Sequence, residues 1–407
     1  MDRVNWADPT AAPAGAAAVR HRLGRPRLPL DPLAAGLVSA LLAMTGPVLI
    51  LLQAAASAGF TPRQTVSWMF AVYVLGGLFS VVLPLRYRIP VTGAHSLTGV
   101  AYLAGVAGHF TYAQLVGAYL VSAAMLFLLG VTGVYARLLA LVPGPVIAAM
   151  LAGLIAPFVA RGALVAGQTP GLAVATLAGY AVVARWGRRL PPAAGAAVCG
   201  LAAAVLLHRV QPGGGIAWVW PEPQWPAFSV SAALAVSVPL AILVLGNDIT
   251  PGLGALESFG FRPPVRALVT WSGAFSMATA IFGGHCANVA GMMTAICADE
   301  SAGRRETRYL ASVTSGVLLV LFGVFSFAAV PFIRGLPTPL MALLAGLSLL
   351  TPLGNSLRAA FADSRHTLPA VVTFAIALSN LTLFHVGAAV WALVAGCAVA
   401  RLERRPG

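Results

Sequence analysis

Charged positions along this chain are sparse and bunched, and long charge-free blocks lie between them. Eleven blocks of 19 or more residues contain no Asp, Glu, Lys or Arg. Eight are about one membrane span long, the longest of them covering residues 32–62. Three others, 89–136, 267–298 and 366–400, have room for two spans each, although 267–298 is short for two full helices. A bilayer-crossing helix needs about 20 apolar residues. The pattern therefore predicts an all-α integral membrane protein with 14 transmembrane segments.

Composition sharpens this picture. Hydrophobic residues make up 59% of the chain and charged residues 9%, against about 25% charged in a soluble domain. The net charge of +14 comes from 25 basic residues, all of them Arg. With the N-terminus inside and 14 spans threaded, only Arg63, Arg161, Arg209 and Arg334 fall outside. That bias orients the protein with both termini cytoplasmic in an inner membrane. The charge thus answers to membrane lipids, and no nucleic acid partner is implied. Residues 1–30 read as a disordered basic cytoplasmic tail without a cleavage site. Cys199, Cys286, Cys297 and Cys397 lie in apolar blocks without CxxC spacing, so they read as small packing residues, with no metal or cofactor expected.

The chain divides at 209–228, a Trp/Pro/Gly linker expected outside the membrane, with Trp218, Trp220 and Trp225 at headgroup level. Residues 31–208 then form one seven-span repeat and 229–402 a second, followed by a cytoplasmic tail at 403–407. The halves echo each other: SAGFTP at 57–62 matches SFGFRP at 258–263. An odd number of spans per half inverts the second half relative to the first, the plan of many secondary transporters.

A second echo carries candidate chemistry. Gly93-Ala94-His95-Ser96 and Gly283-Gly284-His285-Cys286 repeat one step 190 positions apart. Pro90 and Gly93 disfavour helix in the first copy, and Gly283-Gly284 break the chain in the second. Each step is expected to be extended backbone followed by a half-helix starting inside the membrane, near His95 in span 3 and near His285 in span 10. Irregular backbone at that depth must line a cavity or be buried in protein. Two inverted half-helices would aim their N-termini at one point and bind an anion there. Spacing of three places Thr98 on the face of His95 and Asn288 on that of His285. Ser96, Gly284 and Cys286 are small enough to leave room for a ligand. The competing reading makes both histidines capping or packing groups.

Asp248 follows the apolar run 227–246 within GNDITPGLGALESFGF, where Pro251, Gly252 and Gly254 imply a broken helix. An acid at membrane depth costs at least ~2.5 kcal/mol and is a functional candidate by default. A charged Asp248 would repel an anionic substrate, so protonation would let proton and anion load together, which is symport. Asn247 and Gln53 are candidate hydrogen-bonding partners for the substrate or for Asp248.

The stretches GNDITPGLGALESFGFRPPV (246–265), FGGHCANVAGMMTAICADE (282–300) and RIPVTGAHSLTGVAYLAG (88–105) closely resemble the benzoate:proton symporter family, itself distantly similar to nucleobase and sulfate permeases. The resemblance spans about residues 30–402. It implies two inverted seven-helix repeats split into a core (spans 1–4 and 8–11) and a gate (spans 5–7 and 12–14). It also implies a short strand plus half-helix in spans 3 and 10, transport by movement of core against gate, and a possible homodimer. Members associated with benzoate often carry Gly-Gln-Asn where this chain has Gly246-Asn247-Asp248, and tend to have an aromatic where His95 stands. The expected function is proton-coupled import of benzoate or a related aromatic carboxylate. Alternatives are an ion-coupled carrier of another small anion or a nucleobase, a channel, and a membrane metalloenzyme using His95, His285 and Asp248. Against the enzyme stand the repeat and the lack of HExxH or a dense His/Asp cluster.

Overall fold

The computed structural model describes residues 30–135, 142–186, 192–207, 218–379, 381 and 388–403. The tail expected over 1–30, most of the tail at 403–407 and the first part of the linker lie outside them. The described helices are α1 (Leu30–Ser57), α2 (Pro62–Tyr87), α3 (Leu97–Val106), α4 (Tyr112–Thr132), α5 (Gly144–Gln168), α6 (Pro170–Trp186) and α7 (Pro192–Leu206). After the linker come α8 (Val230–Ser258), α9 (Val265–Ile281), α10 (Gly291–Ala298), α11 (Tyr309–Val324), α12 (Ser326–Arg334), α13 (Thr338–Ala360), α14 (Thr367–Leu378) and α15 (Ala388–Glu403). Seven helical stretches among the described residues are long and apolar enough to cross a bilayer: α1, α2, α4, α5, α8, α13 and Arg305–Val324, which contains α11.

The repeated hexapeptide folds the same way twice. Gly59 (φ 70°) and Gly260 (φ 79°) take the left-handed conformation that ends a helix. The next residue folds back: Phe60 N–H donates to the Ala55 carbonyl and Phe261 N–H to the Leu256 carbonyl, each at 2.9 Å. These are the bonds of a Schellman cap, with a buried phenylalanine completing its apolar contact. The two copies lie at opposite ends of the molecule. Phe60 packs on Tyr112, whereas Phe261 lies under Arg305, near the start of α1, where Asp31 meets Gly303.

Midway along the molecule, β1 (Gly93–Ala94) pairs antiparallel with β2 (Asn288–Val289), Gly93 opposite Val289 and Ala94 opposite Asn288. Only glycine fits at 93, because a Cβ there would stand 2.4 Å from the Phe79 ring. Side-chain hydroxyls satisfy the exposed edges of this pair. Gly93 N–H donates to Ser80 Oγ (2.7 Å), Thr92 N–H to Thr294 Oγ1 (3.1 Å) and Ala287 N–H to Ser276 Oγ (3.1 Å). Irregular backbone thus survives at this depth because neighbouring helices supply its partners.

β1 leads into α3 and β2 into α10. At 1.5 Å per residue these helices are about 15 and 12 Å long, roughly half of a 30 Å hydrocarbon core. They leave the strand pair in opposite directions. α3 ends beside the close of α1, where Gly108 meets the Ser57 carbonyl. α10 ends at the opposite face, where Arg308 holds the Ala298 carbonyl at 2.8 Å.

Helix packing falls into two groups. In one, α2 packs on α11, α4 on α9, α1 on α3 and α11, and α8 on α10. In the other, α5 packs on α13 and α14, α6 on α7, and α14 on α15. The groups meet along a seam where α1 faces α7 and α13.

Candidate functional site

The strand pair brings the two histidine steps together. The rings of His95 and His285 stand edge to face, 5.6 Å apart, and both are buried. Their routes there differ from the sequence expectation. The steps are 190 positions apart, but the half-helix starts, Leu97 and Gly291, are 194 apart. His95 follows its strand and immediately precedes the N-cap of α3. His285 precedes its strand, and α10 starts six residues later. Asn288 therefore sits in β2, not on a helical face with His285, and His95 stands before the helix that carries Thr98. The physical reason is pairing: residues 288–289 are held extended by β1, so helix cannot begin until the strand ends.

The surroundings of the two rings also differ. Trp68 on α2 donates its indole N–H to His285 Nδ1 at 3.2 Å, while His285 Nε2 donates to the Ser96 carbonyl at 3.2 Å. Both nitrogens are engaged, which sets the tautomer and locks the ring against the end of β1. Neither nitrogen of buried His95 has a partner among the described residues. Its ring packs between Tyr73 (5.1 Å) and His285. Tyr119 on α4 approaches the His285 ring at 6.3 Å, and its buried hydroxyl is likewise unpartnered among the described residues.

The other expected residues divide into three kinds. Ser96 and Cys286 stitch the crossing: Ser96 N–H donates to Cys286 Sγ at 3.2 Å, and Ser96 Oγ caps α3 by accepting from Gly99 N–H at 2.9 Å. Thr98 Oγ1 lies 3.1 Å from Ser96 Oγ. Gly284 serves packing, since a Cβ would come within 2.3 Å of Thr279 and 3.0 Å of Ala71. Asn247 and Asp248 lie in a π-helical turn of α8, Val244–Ile249, packed on β2 and α10. Ser96 and Asn288 are the polar side chains beside the Asp248 carboxyl. Asp248 Oδ2, Asn247 Nδ2 and Asn288 Oδ1 lack partners among the described residues. Gln53 is placed elsewhere, in the wall of a separate cavity of about 440 Å³ with Arg161.

Two positive helix starts flank the strand pair, α3 at one end and α10 at the other. α3 is capped by Ser96, whereas α10 has Ala290 at its N-cap and no capping side chain, so its first N–H groups stay available. Buried polar groups are normally hydrogen-bonded. The unpaired His95 nitrogens and the free Tyr119 phenol at one end of the strand pair, and the uncapped helix start at the other, are each able to donate to an anion. Among the described residues, no three His, Cys, Asp or Glu side chains gather to hold a metal. Trp68, Tyr73 and Tyr119 lie in long charge-free stretches, and no sequence signal separates them from packing aromatics. A cavity of about 540 Å³ reaches the site's flank along Leu97 and Met292 and extends to Asp31 and Ser301 at the end of the molecule holding Arg305 and Arg308.

These features define a membrane transport protein, and comparison with known proteins agrees. The fold is similar to the transmembrane domain of a cyanobacterium bicarbonate transporter, BicA (TM-score 0.63, 16% identity, 92% of this chain and 98% of that one). It is also similar to SLC26A9 (TM-score 0.61, 12% identity, 92% of this chain and 65% of that one). The family model described as benzoate membrane transport protein matches residues 28–402, and the chain belongs to that family. It is 31% identical over 376 residues to inner membrane protein YdcO of Escherichia coli (strain K12), covering 91% of this chain and 95% of that protein. It is 27% identical over 365 residues to the benzoate membrane transport protein of Acinetobacter baylyi (strain ATCC 33305 / BD413 / ADP1), covering 89% and 92%. Its family makes it a transporter and not an enzyme.

Proposed function

We propose that this protein is a proton-coupled importer of benzoate or a related aromatic carboxylate in a bacterial inner membrane, with both termini cytoplasmic. In this reading 14 spans form two inverted repeats, and the α1–α4/α8–α11 group moves as a core against the α5–α7/α13–α15 gate. The carrying observation is a strand pair flanked by two oppositely directed half-helix starts, with unpartnered His95 and the buried Asp248 carboxyl beside it. The carboxylate accepts from His95 and Tyr119, in the positive field of the two half-helix starts. The aromatic ring suits the apolar walls of the 540 Å³ cavity, which include Val38, Leu42 and Leu347.

Asp248 supplies the coupling. As a carboxylate beside Ser96 and Asn288 it occupies the positive field that the substrate needs, and two like charges at that depth repel strongly. Protonation removes the competing charge, so proton and anion load together and leave together. Site residues Ser96, Cys286 and Gly284 hold the crossing in shape, Thr98 and Asn288 border it, and Asn247 positions the π turn.

Uptake of labelled benzoate into proteoliposomes under an imposed pH gradient tests this reading. Wild type should accumulate benzoate when the outside is acidic. Asp248→Asn should lose gradient-driven accumulation while keeping exchange. Normal accumulation by Asp248→Asn would refute the coupling role, and absence of benzoate flux in wild type would refute the cargo.

A further inference from the structure

The smaller cavity, apart from the histidine site, contains an arginine whose partner is missing. Arg161 is the single charge in the 25-residue helix α5, seven residues from its end, or about 10 Å. Arg161 is exposed, and a charge at such a place in an apolar helix is kept by reaching water or an ion. It lines the 440 Å³ cavity with Gln53 and Ser57 of α1 and Thr338 of α13. None of the cavity's lining residues is acidic, and Arg161 makes no ion pair or hydrogen bond among the described residues. Arg63, at the same end of the molecule, does have a carboxylate, Glu222 at 3.6 Å. Thr338 opens α13, a 23-residue helix whose N-cap, Pro337, offers no side-chain cap, which adds positive potential to the same space. Leu52, Leu336 and Met341 complete apolar walls.

The cavity's place gives this chemistry a use. α1 and α13 line both cavities, the smaller near one end of the molecule and the larger towards the other. Between them α1 buries Val48 to Leu51, and α13 buries Leu343 and Leu344. The smaller cavity thus lies on the far side of an apolar barrier from the larger one, along the seam between the two helix groups. Resting on the transport reading above, we infer that Arg161 and Gln53 form a second anion site. It captures a monocarboxylate with an apolar body at the outer end of the seam before the histidine site receives it. A guanidinium pairs a carboxylate bidentately, Gln53 adds an amide donor, and the apolar walls take the rest of the molecule. The shared chemistry is an anionic oxygen group, which a lipid phosphate also offers, so the test separates the two.

Ser57→Cys places a thiol in this cavity. Its modification by an anionic and by a cationic methanethiosulfonate reagent is measured at that residue by mass spectrometry in phosphatidylcholine vesicles, with and without phosphatidylglycerol. The anionic reagent should react about tenfold faster than the cationic one, as expected of a focused positive field. The preference should vanish in Arg161→Gln and survive in Arg161→Lys. Millimolar benzoate should slow the anionic reagent in both lipids. Equal rates for both reagents, or a preference unchanged in Arg161→Gln, would overturn the site. Protection by phosphatidylglycerol but not by benzoate would overturn carboxylate capture and leave a lipid site. In uptake assays Arg161→Gln should raise KM for benzoate about tenfold with kcat unchanged, and an unchanged KM would overturn the capture role. The labelling needs no flux, so it can hold when uptake fails, in which case the transport reading falls alone.

Discussion

His95 and His285 are the same residue type 5.6 Å apart, yet they are equipped for different work. His285 is bound on both sides, by the Trp68 indole and the Ser96 carbonyl; it positions the crossing. His95 has both nitrogens to spend, as does Tyr119 its hydroxyl. A hydrogen bond to a charged group contributes about 1.5–3 kcal/mol, so His95→Ala should weaken benzoate affinity roughly 10- to 100-fold, and Tyr119→Phe should act in the same direction. Isothermal titration with benzoate checks both, and affinities within twofold of wild type would place these groups outside the anion site. Trp68→Phe should instead cost about 1 kcal/mol of stability, because it leaves His285 Nδ1 without its donor. The histidines were legible in the sequence because a repeated step in an apolar chain is conspicuous. Tyr119 and Trp68 were not, since an aromatic in an apolar block looks like any other until a partner is missing or found.

At the scale of elements, α10 depends on how its ends are held. Eight residues are too few to be a stable helix alone. Its start follows a strand held by β1, and its end is closed by Arg308, which donates to the Ala298 carbonyl at 2.8 Å and to the Gly303 carbonyl at 2.9 Å. Just beyond, two hydrogen bonds with Ser301 hold the Asp299 carboxyl below the usual carboxylate range. Arg308→Ala would leave a buried carbonyl unpaired at about 1–3 kcal/mol. The expected outcome is a lower midpoint of thermal unfolding in detergent together with weaker benzoate binding, since the helix start proposed to direct its field at the anion shifts with its end. Unaltered stability and binding would show that α10 holds its place without this clamp. The sequence announced a helix break in span 10 through Gly283-Gly284, but set the helix start too early. Strand pairing across 195 residues, between Gly93–Ala94 and Asn288–Val289, leaves no local mark in either stretch.

For the whole molecule, the decisive feature is the seam between the two helix groups. A Cβ built on Gly46 of α1 would stand 2.6 Å from the Ser348 Cβ of α13, so the helices need to part by about an ångström to reach the ~3.8 Å Cβ spacing of a disulfide. A Gly46→Cys/Ser348→Cys pair should therefore crosslink the groups on oxidation, stop benzoate uptake and recover it on reduction. Ser348→Cys alone should stay active, whereas Gly46→Cys alone crowds Ser348, so the control for it is the reduced double variant. Full uptake by the oxidised, fully crosslinked protein would rule out movement along this seam.

The sequence by itself determined that the chain lives in a membrane, that its halves echo each other, and which residues break helix at mid-depth. These follow from local causes: solvent preference, glycine φ freedom and proline sterics act on a few neighbouring residues. The tertiary structure alone decided that His95 trails its strand while His285 leads its own, that Trp68 occupies one histidine and leaves the other free, and that Gln53 lines a cavity with Arg161 instead of lying beside Asp248. Those outcomes depend on which distant backbone supplies each hydrogen bond. In an apolar interior every polar group must find a partner, and only the packed chain shows which groups are left without one.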